Sequence, residues 1–268
     1  MKQSIPFPAA IALLSAGTCL AGVQIESVDE SLSNGKTTNQ TIRVDNDRMM
    51  VDIQGDRGRQ TVVFLGAKQV FQMIDHEKKN YREMSQQDME QIGSQLNEAM
   101  SRLQEQMKNM PPAQRQMMEK MMKGKMPQMT GQSAEKTVYA AAGRAKAGQW
   151  DCTRYDGTRG GEKASEVCAV EFSEFGLQPS DFAVMQKMAE FFTKIMPQGM
   201  KDNFMVGSEN WREEQGFPGV PVSRTTFSGG KAEQRTTVKS VTRADFEDSL
   251  FEVPAGYKKE AMPRMGGR

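Results

Sequence analysis

The chain has 268 residues, with 35 basic against 34 acidic side chains and a single histidine. So even a balance, with no basic run interleaved with aromatics, leaves no field to recruit nucleic acid. Aromatic content of only 7% suggests a thin core under a well-solvated surface.

The first stretch reads as an address. Lys2 precedes a short apolar run from Ala9 to Ala16 and small residues ending at Ala21, a secretory signal pattern too short to span a bilayer. Cleavage after Ala21 is expected, which places the mature chain in the periplasm without a transmembrane span. A lipid anchor through Cys19 is the weaker alternative, because Ala16, Gly17 and Thr18 before it fit a lipidation signal poorly. The remainder reads as one domain over residues 22–259 with a Met-rich helical insertion at about 85–129. The basic tail at residues 260–268 is expected to be disordered.

From Val23 to Met84 the pattern is an antiparallel meander. Val23–Glu30, Thr38–Val44, Arg48–Ile53, Gln60–Leu65, Gln69–Ile74 and Asn80–Met84 alternate or run apolar, and Gly, Asn, Asp and Ser clusters separate them. With half the side chains polar, such a sheet is expected to be buried on one face.

A different period begins at Ser85. Met89, Ile92, Leu96, Met100, Leu103, Met107 and Met110 recur at steps of three and four, one stripe of an α-helix. Ser85 followed by Asp88 forms a capping-box pattern that sets the start. Pro111-Pro112 interrupts it, and a second helix carrying Met117, Met118, Met121 and Met122 is expected to follow. The pair is predicted to lie as a lid, oily face down, on the sheet.

Beyond the lid, Thr137 to Ala147 is small and weakly patterned. Gly148–Tyr155 and Ala164–Phe172 read as strands around a Gly160-Gly161 turn, which sets Cys152 opposite Cys168 and Trp150 opposite Val170. In an exported chain these cysteines are expected to pair, contributing about 3 kcal/mol by closing so short a loop. A second amphipathic helix carries Phe182, Met185, Met188, Ala189, Phe192, Ile195 and Met196 on one stripe and stops at Pro197. A strand near Phe204–Arg212 and a hairpin of Gly219–Phe227 and Ala232–Val241 complete the series.

Four stretches carry a resemblance. Val70 to Tyr81, reading VFQMIDHEKKNY, the Trp150–Tyr155 and Gly216–Val222 segments, and the close Ser249-Leu250-Phe251-Glu252-Val253-Pro254-Ala255-Gly256-Tyr257 look like an exported bacterial family known only as a domain of unknown function. That family is similar to the outer-membrane lipoprotein carrier and receptor superfamily. The resemblance implies an α+β fold: a strongly curved antiparallel half-barrel whose concave face is covered by amphipathic helices and, in the carrier branch, cradles acyl chains. This chain departs from it in a far more Met-rich lid.

No catalytic constellation stands out, and no cofactor is expected. His76 falls in the charged Asp75–Lys79 turn and reads as a solvated turn residue, while no Gly-x-Ser-x-Gly elbow supports a nucleophile. Asp151, Glu166, Glu171 and Glu174 are scattered on half-exposed positions. Among 22 methionines the lid cluster could suit Cu(I), yet helical spacing and the lack of nearby His or Cys favour adaptable apolar packing instead. The expected function is non-enzymatic binding of an apolar ligand, a lipid or acyl chain, between sheet and lid. Candidate walls are Met100, Leu103, Met107, Met117 and Met121 from the lid and Phe64, Phe71 and Met73 from the sheet. The alternatives are an envelope protein–protein or stress-related module and, third, Met-mediated copper binding.

Overall fold

The computed structural model describes residues 22–108, 110–111, 114, 137–193 and 216–261. The expected signal segment, the second lid helix, the Phe204–Arg212 strand and all of the tail after Ala261 lie outside these residues. The first six strands follow the alternation of the sequence: β1 Gly22–Ser31, β2 Thr37–Asp45, β3 Arg48–Gly55, β4 Gly58–Leu65, β5 Val70–Asp75 and β6 Asn80–Ser85. Each pairs antiparallel with the next. The β2–β3 turn needs no glycine, because Asn46 takes φ 47° there, a left-handed conformation that asparagine tolerates.

Helix α1, Gln86–Lys108, comes next. After it come β7 Val138–Ala147, β8 Trp150–Arg159, β9 Glu162–Val170, helix α2 Ala183–Thr193, β10 Val220–Ser228, β11 Lys231–Ala244 and the short β12 Lys258–Glu260. Among the described residues, twelve strands form one sheet in the order β12-β6-β5-β4-β3-β2-β1-β11-β10-β9-β8-β7. Two meanders are thus fused where β1 meets β11, with Ile25 opposite Val241 and Val28 opposite Thr237.

The α+β class stands, but the strongly curved half-barrel does not: the sheet is open, neither closed nor strongly curled, with β7 and β12 at its edges. Bulges are what bend a sheet, and the pairings from β1–β2 through β5–β6 run without a register shift. β12 also takes the outer edge of β6 in parallel, Lys258 opposite Asn80 and Glu260 opposite Arg82. The weakly patterned segment is strand β7, where Ala140, Ala141 and Gly143 are exposed, Ala145 and Ala147 pack against the central cluster, and an irregularity between Ala141 and Arg144 breaks the alternation.

The first meander is covered on both faces rather than one. On one face Val44, Met49 and Phe64 pack with Met89 of α1 and Val184 and Phe191 of α2. On the other, Met50, Val63 and Ile74 lie under Phe251, flanked by Phe246, Val253 and Tyr257 from the C-terminal segment. Arg48 pins that segment: its guanidinium donates to Asp45 and Asp248 at 2.6 Å each and to the Phe246 carbonyl at 3.3 Å, 4.3 Å from the Phe251 ring centroid. At the centre, Val23 and Ile25 of β1 join Val222, Val238, Cys152 and Cys168.

The Cys152–Cys168 disulfide is formed, with Cα atoms 5.5 Å apart. Its register differs from the expected one, however: Arg154, not Cys152, is the Cα partner of Cys168. The Gly160-Gly161 turn sits where the sequence puts it, with both glycines at positive φ. The turn pairs Arg159 with Glu162, a register that already sets Cys168 opposite Thr153, and a bulge between Gly157 and Thr158 moves it one further to Arg154, so the two cysteines lie on a diagonal.

Two outcomes follow. Alkylation without reductant, read by intact mass, should label neither Cys152 nor Cys168, and two labelled thiols would contradict the bridge. Phe191→Ala should lower unfolding stability by about 3–5 kcal/mol in urea titration, since Phe191 is 1% exposed and leaves a cavity against Phe64.

Candidate functional site

The apolar site expected between lid and sheet is built by three elements. The start of α1 is fixed locally as the sequence implies: the Ser85 amide donates to Asp88 Oδ2 at 2.8 Å, and the Asp88 amide donates to Ser85 Oγ at 3.2 Å. The Ser85 hydroxyl, donating to Asp88 Oδ2 at 2.6 Å, and then the Ser85 amide hold the Asp88 carboxyl below its usual range. This cap aims the first turn down onto the sheet, where Met89 is fully buried. Ile92, one turn on, is half-buried and Gly93 is buried. The side chains of Met100, Leu103 and Met107, together with Met117 and Met121, lie outside the described residues.

Helix α2 does more of the covering than the sequence suggests. Its lead-in is set by Arg243 of β11, which grips the Asp181 carboxylate with two hydrogen bonds of 2.6 and 3.0 Å and donates to the Gly176 carbonyl at 2.9 Å. Asp181 in turn accepts from the Gln178 amide at 2.7 Å. So anchored, α2 buries Val184 and Phe191 completely, while Phe182, Met185, Met188 and Phe192 of the expected stripe are only half-buried. The inward face is therefore centred about one residue away from the predicted one. Spacing alone does not separate the two, because Phe191 and Phe192 are adjacent and both apolar.

The three sheet candidates separate by burial. Phe64 is 1% exposed with its ring centroid 5.6 Å from that of Phe191, so it is floor rather than wall. Phe71 is half-buried and meets Phe192 edge-on at 5.1 Å. Met73 is half-buried on the same strand face as Phe71, but it stands opposite Val62 and Arg82 toward the polar end of the strands. Met84, opposite Phe71, completes a band that sequence reasoning did not single out. The rim carries charge: Lys187 approaches Asp47 at 3.5 Å, and Arg82 pairs with Glu260 at 2.7 Å.

On the opposite face His76 departs from the solvated turn residue that the sequence suggests. It is half-buried, with Nε2 2.7 Å from Thr61 Oγ1 and Nδ1 2.9 Å from the Tyr257 hydroxyl. Thr61 donates onward to Asp52 at 2.9 Å, and Arg59 holds the same carboxylate at 2.6 Å. Burial and the nearby Arg59 guanidinium keep His76 below its usual range. Burial acts to raise Asp52, but the hydrogen bonds from Arg59 and Thr61 outweigh it and hold the carboxyl low. Tyr257 lies 181 residues from His76, so no local signal joins them.

The disulfide places the chain in an oxidising, extracytoplasmic setting. Among the described residues no helix is long and apolar enough to cross a membrane.

No curated protein matches the chain. Among solved structures, an uncharacterized conserved protein from Thermus thermophilus aligns with a TM-score of 0.46 at 6% identity, over 91% of this chain and 92% of that one. PNGF-II aligns with a TM-score of 0.35 at 7% identity, over 90% of this chain and 31% of that one. A DUF1329 family protein from Desulfovibrio piger ATCC 29098 gives a TM-score of 0.20 at 8% identity, over 88% and 91%. The family model described as Domain of unknown function (DUF4412) matches residues 77–257, from the β5–β6 turn to the hydroxyl that His76 holds. That span exceeds half of the sequence, and the chain therefore belongs to this family.

Proposed function

We propose that the protein is a non-enzymatic binder of an apolar ligand, a lipid or single acyl chain, working in the periplasm. The binding place is the seam where α1 and α2 lie on strands β3 to β6. One observation carries this reading: a half-buried band of Phe71, Met84, Met185, Met188 and Phe192 surrounds a fully buried floor of Phe64, Met89 and Phe191. Apolar side chains left half open beside a rigid floor can gain contact with a guest without the fold coming apart. Methionine suits such a wall, because its unbranched, polarizable thioether adapts to chains of varied shape. The resemblance to the lipoprotein carrier and receptor superfamily supports the same ligand class. In this reading the open sheet acts as a platform on which the described parts of the two helices stand. No chemical step is assigned, and every residue named acts as a contact.

Protein purified from an envelope fraction should carry lipid detectable by native mass spectrometry. After delipidation it should bind cis-parinaric acid saturably. Phe71→Ser combined with Met188→Ser should weaken that binding at least tenfold, about 1.4 kcal/mol, with the melting temperature of each variant measured alongside. Absence of both co-purifying lipid and saturable probe binding would overturn the proposal.

A further inference from the structure

The half-buried arginines of this fold are matched almost one by one. Arg43 donates to Gln24, Arg48 to Asp45, Arg82 to Glu260 and Arg243 to Asp181, and Arg154 lies 4.0 Å from Asp156. Arg224 of β10 breaks the pattern. It is half-buried as well, yet among the described residues it has no ion pair or hydrogen bond, and its Nε is buried without an acceptor. The Phe217 ring, its centroid 5.9 Å from the guanidinium carbon, stands at the outer limit of cation–π attraction and offers no oxygen.

The ladders fix what surrounds it. Arg224 stands opposite Val167 of β9 and Thr236 of β11, while Thr226, two residues on, stands opposite Ser165 and Gln234. Direct partners across a ladder and alternate residues along a strand share a face, so these side chains stand together and only Arg224 among them is charged. Asp29, the next residue along the row beyond Thr236, already accepts from Thr236 and Gln40. Ser165 is 6% exposed, and its hydroxyl is also buried without a partner. It lies diagonally across the ladder from Arg224, within reach of a long side chain. Gln234 also lines a cavity of about 400 Å³ that borders this tract. A half-buried cation and a buried hydroxyl left unpaired side by side are costly, and both lack the same thing, an acceptor.

We propose that Arg224 and Ser165 form a binding site for a phosphate group, in which the guanidinium fork engages two oxygens and the Ser165 hydroxyl donates to a third. A fork and a separate hydroxyl suit the several oxygens of a tetrahedral phosphate better than the two of a planar carboxylate. Binding supplies the missing acceptors and a counter-charge in one step. The site stands apart from the seam under α1 and α2 and rests on its own observations.

Calorimetric titration of the full chain with inorganic phosphate at low salt tests this. Saturable binding is expected, weakened about tenfold in Arg224→Gln and about threefold in Ser165→Ala, with the melting temperature of each variant measured alongside. Arg235→Gln removes an exposed arginine next to Thr236 on the other face of β11, and it should bind as the native chain does. A short-chain phosphatidic acid below its micelle threshold separates the two sources of phosphate. Equal affinity identifies a free phosphate as the ligand, and tighter binding that still needs Arg224 identifies a lipid headgroup. No saturable binding of either probe by the native chain, undiminished binding in both Arg224→Gln and Ser165→Ala, or an equal loss in Arg235→Gln would each overturn the proposal.

Discussion

The pairing of β1 with β11 is the constraint on which the rest of the molecule depends. Among the described residues it is the one ladder joining the meander of β1 to β6 with the meander of β7 to β11. The ladder runs from Gly22 opposite Ala244 to Ser31 opposite Gln234, with one irregularity after Glu26. Side chains along it knit the two halves: Val23 and Ile25 pack with Val222, Val238 and the disulfide. Ile42 on the next strand touches this central cluster and also the cluster under the helices, as does Phe182 at the entry to α2. A sheet this wide works as one body because the seam carries β-branched pairs such as Ile25 opposite Val241 and Val28 opposite Thr237.

Given that body, two faces of the first meander must be kept from water, and the chain solves each differently. One is closed by helices, where the aromatic pairs Phe64–Phe191 and Phe71–Phe192 bring large apolar area and favourable tilted or edge-on geometry. The other is closed by an irregular C-terminal segment that has little backbone pairing of its own. Such a segment must be tied down by side chains, and Arg48 and His76 do so from opposite ends of the meander. The two coverings differ in kind: the helical one rests on apolar burial, while the C-terminal one adds titratable and charge-assisted bonds.

What was legible in the sequence was what is local. Alternation gave strands β1 to β6 nearly to the residue, because each is bounded by turn residues and pairs with its neighbour in sequence. Ser85 and Asp88 marked the helix start three residues apart, and the glycines at 160 and 161 marked a hairpin whose cysteines bridge. Hidden features were those decided at long range or by small backbone irregularities. The two-residue turn and the bulge beside Gly157 each moved the cysteine register by one, and the first meander runs without the bulges that would curl it. Strand β7 escaped notice because Ala140 and Ala141 carry no alternating signal, and β12 because Lys258, Lys259 and Glu260 look like a solvated tail. Of the candidate site, the floor residue Phe64 and the wall residue Phe71 were legible. Of their partners, Phe192 was on the expected stripe and Phe191 was not, since a helix stripe shows which residues are apolar but not which of them meets the sheet.

The seam between the first and last long strands also dictates when the protein can fold. β1 leads the described chain, yet its second partner lies some two hundred residues later, in residues 231–244. Contacts that far apart are slow to find, because the entropy of closing the loop is lost before the ladder returns anything. The early meander can pair its own strands, but its β1 margin stays bare until the final hairpin has been delivered. Assembly is therefore gated by arrival of the C-terminal third, a timing that suits a chain threaded through a membrane before it takes shape.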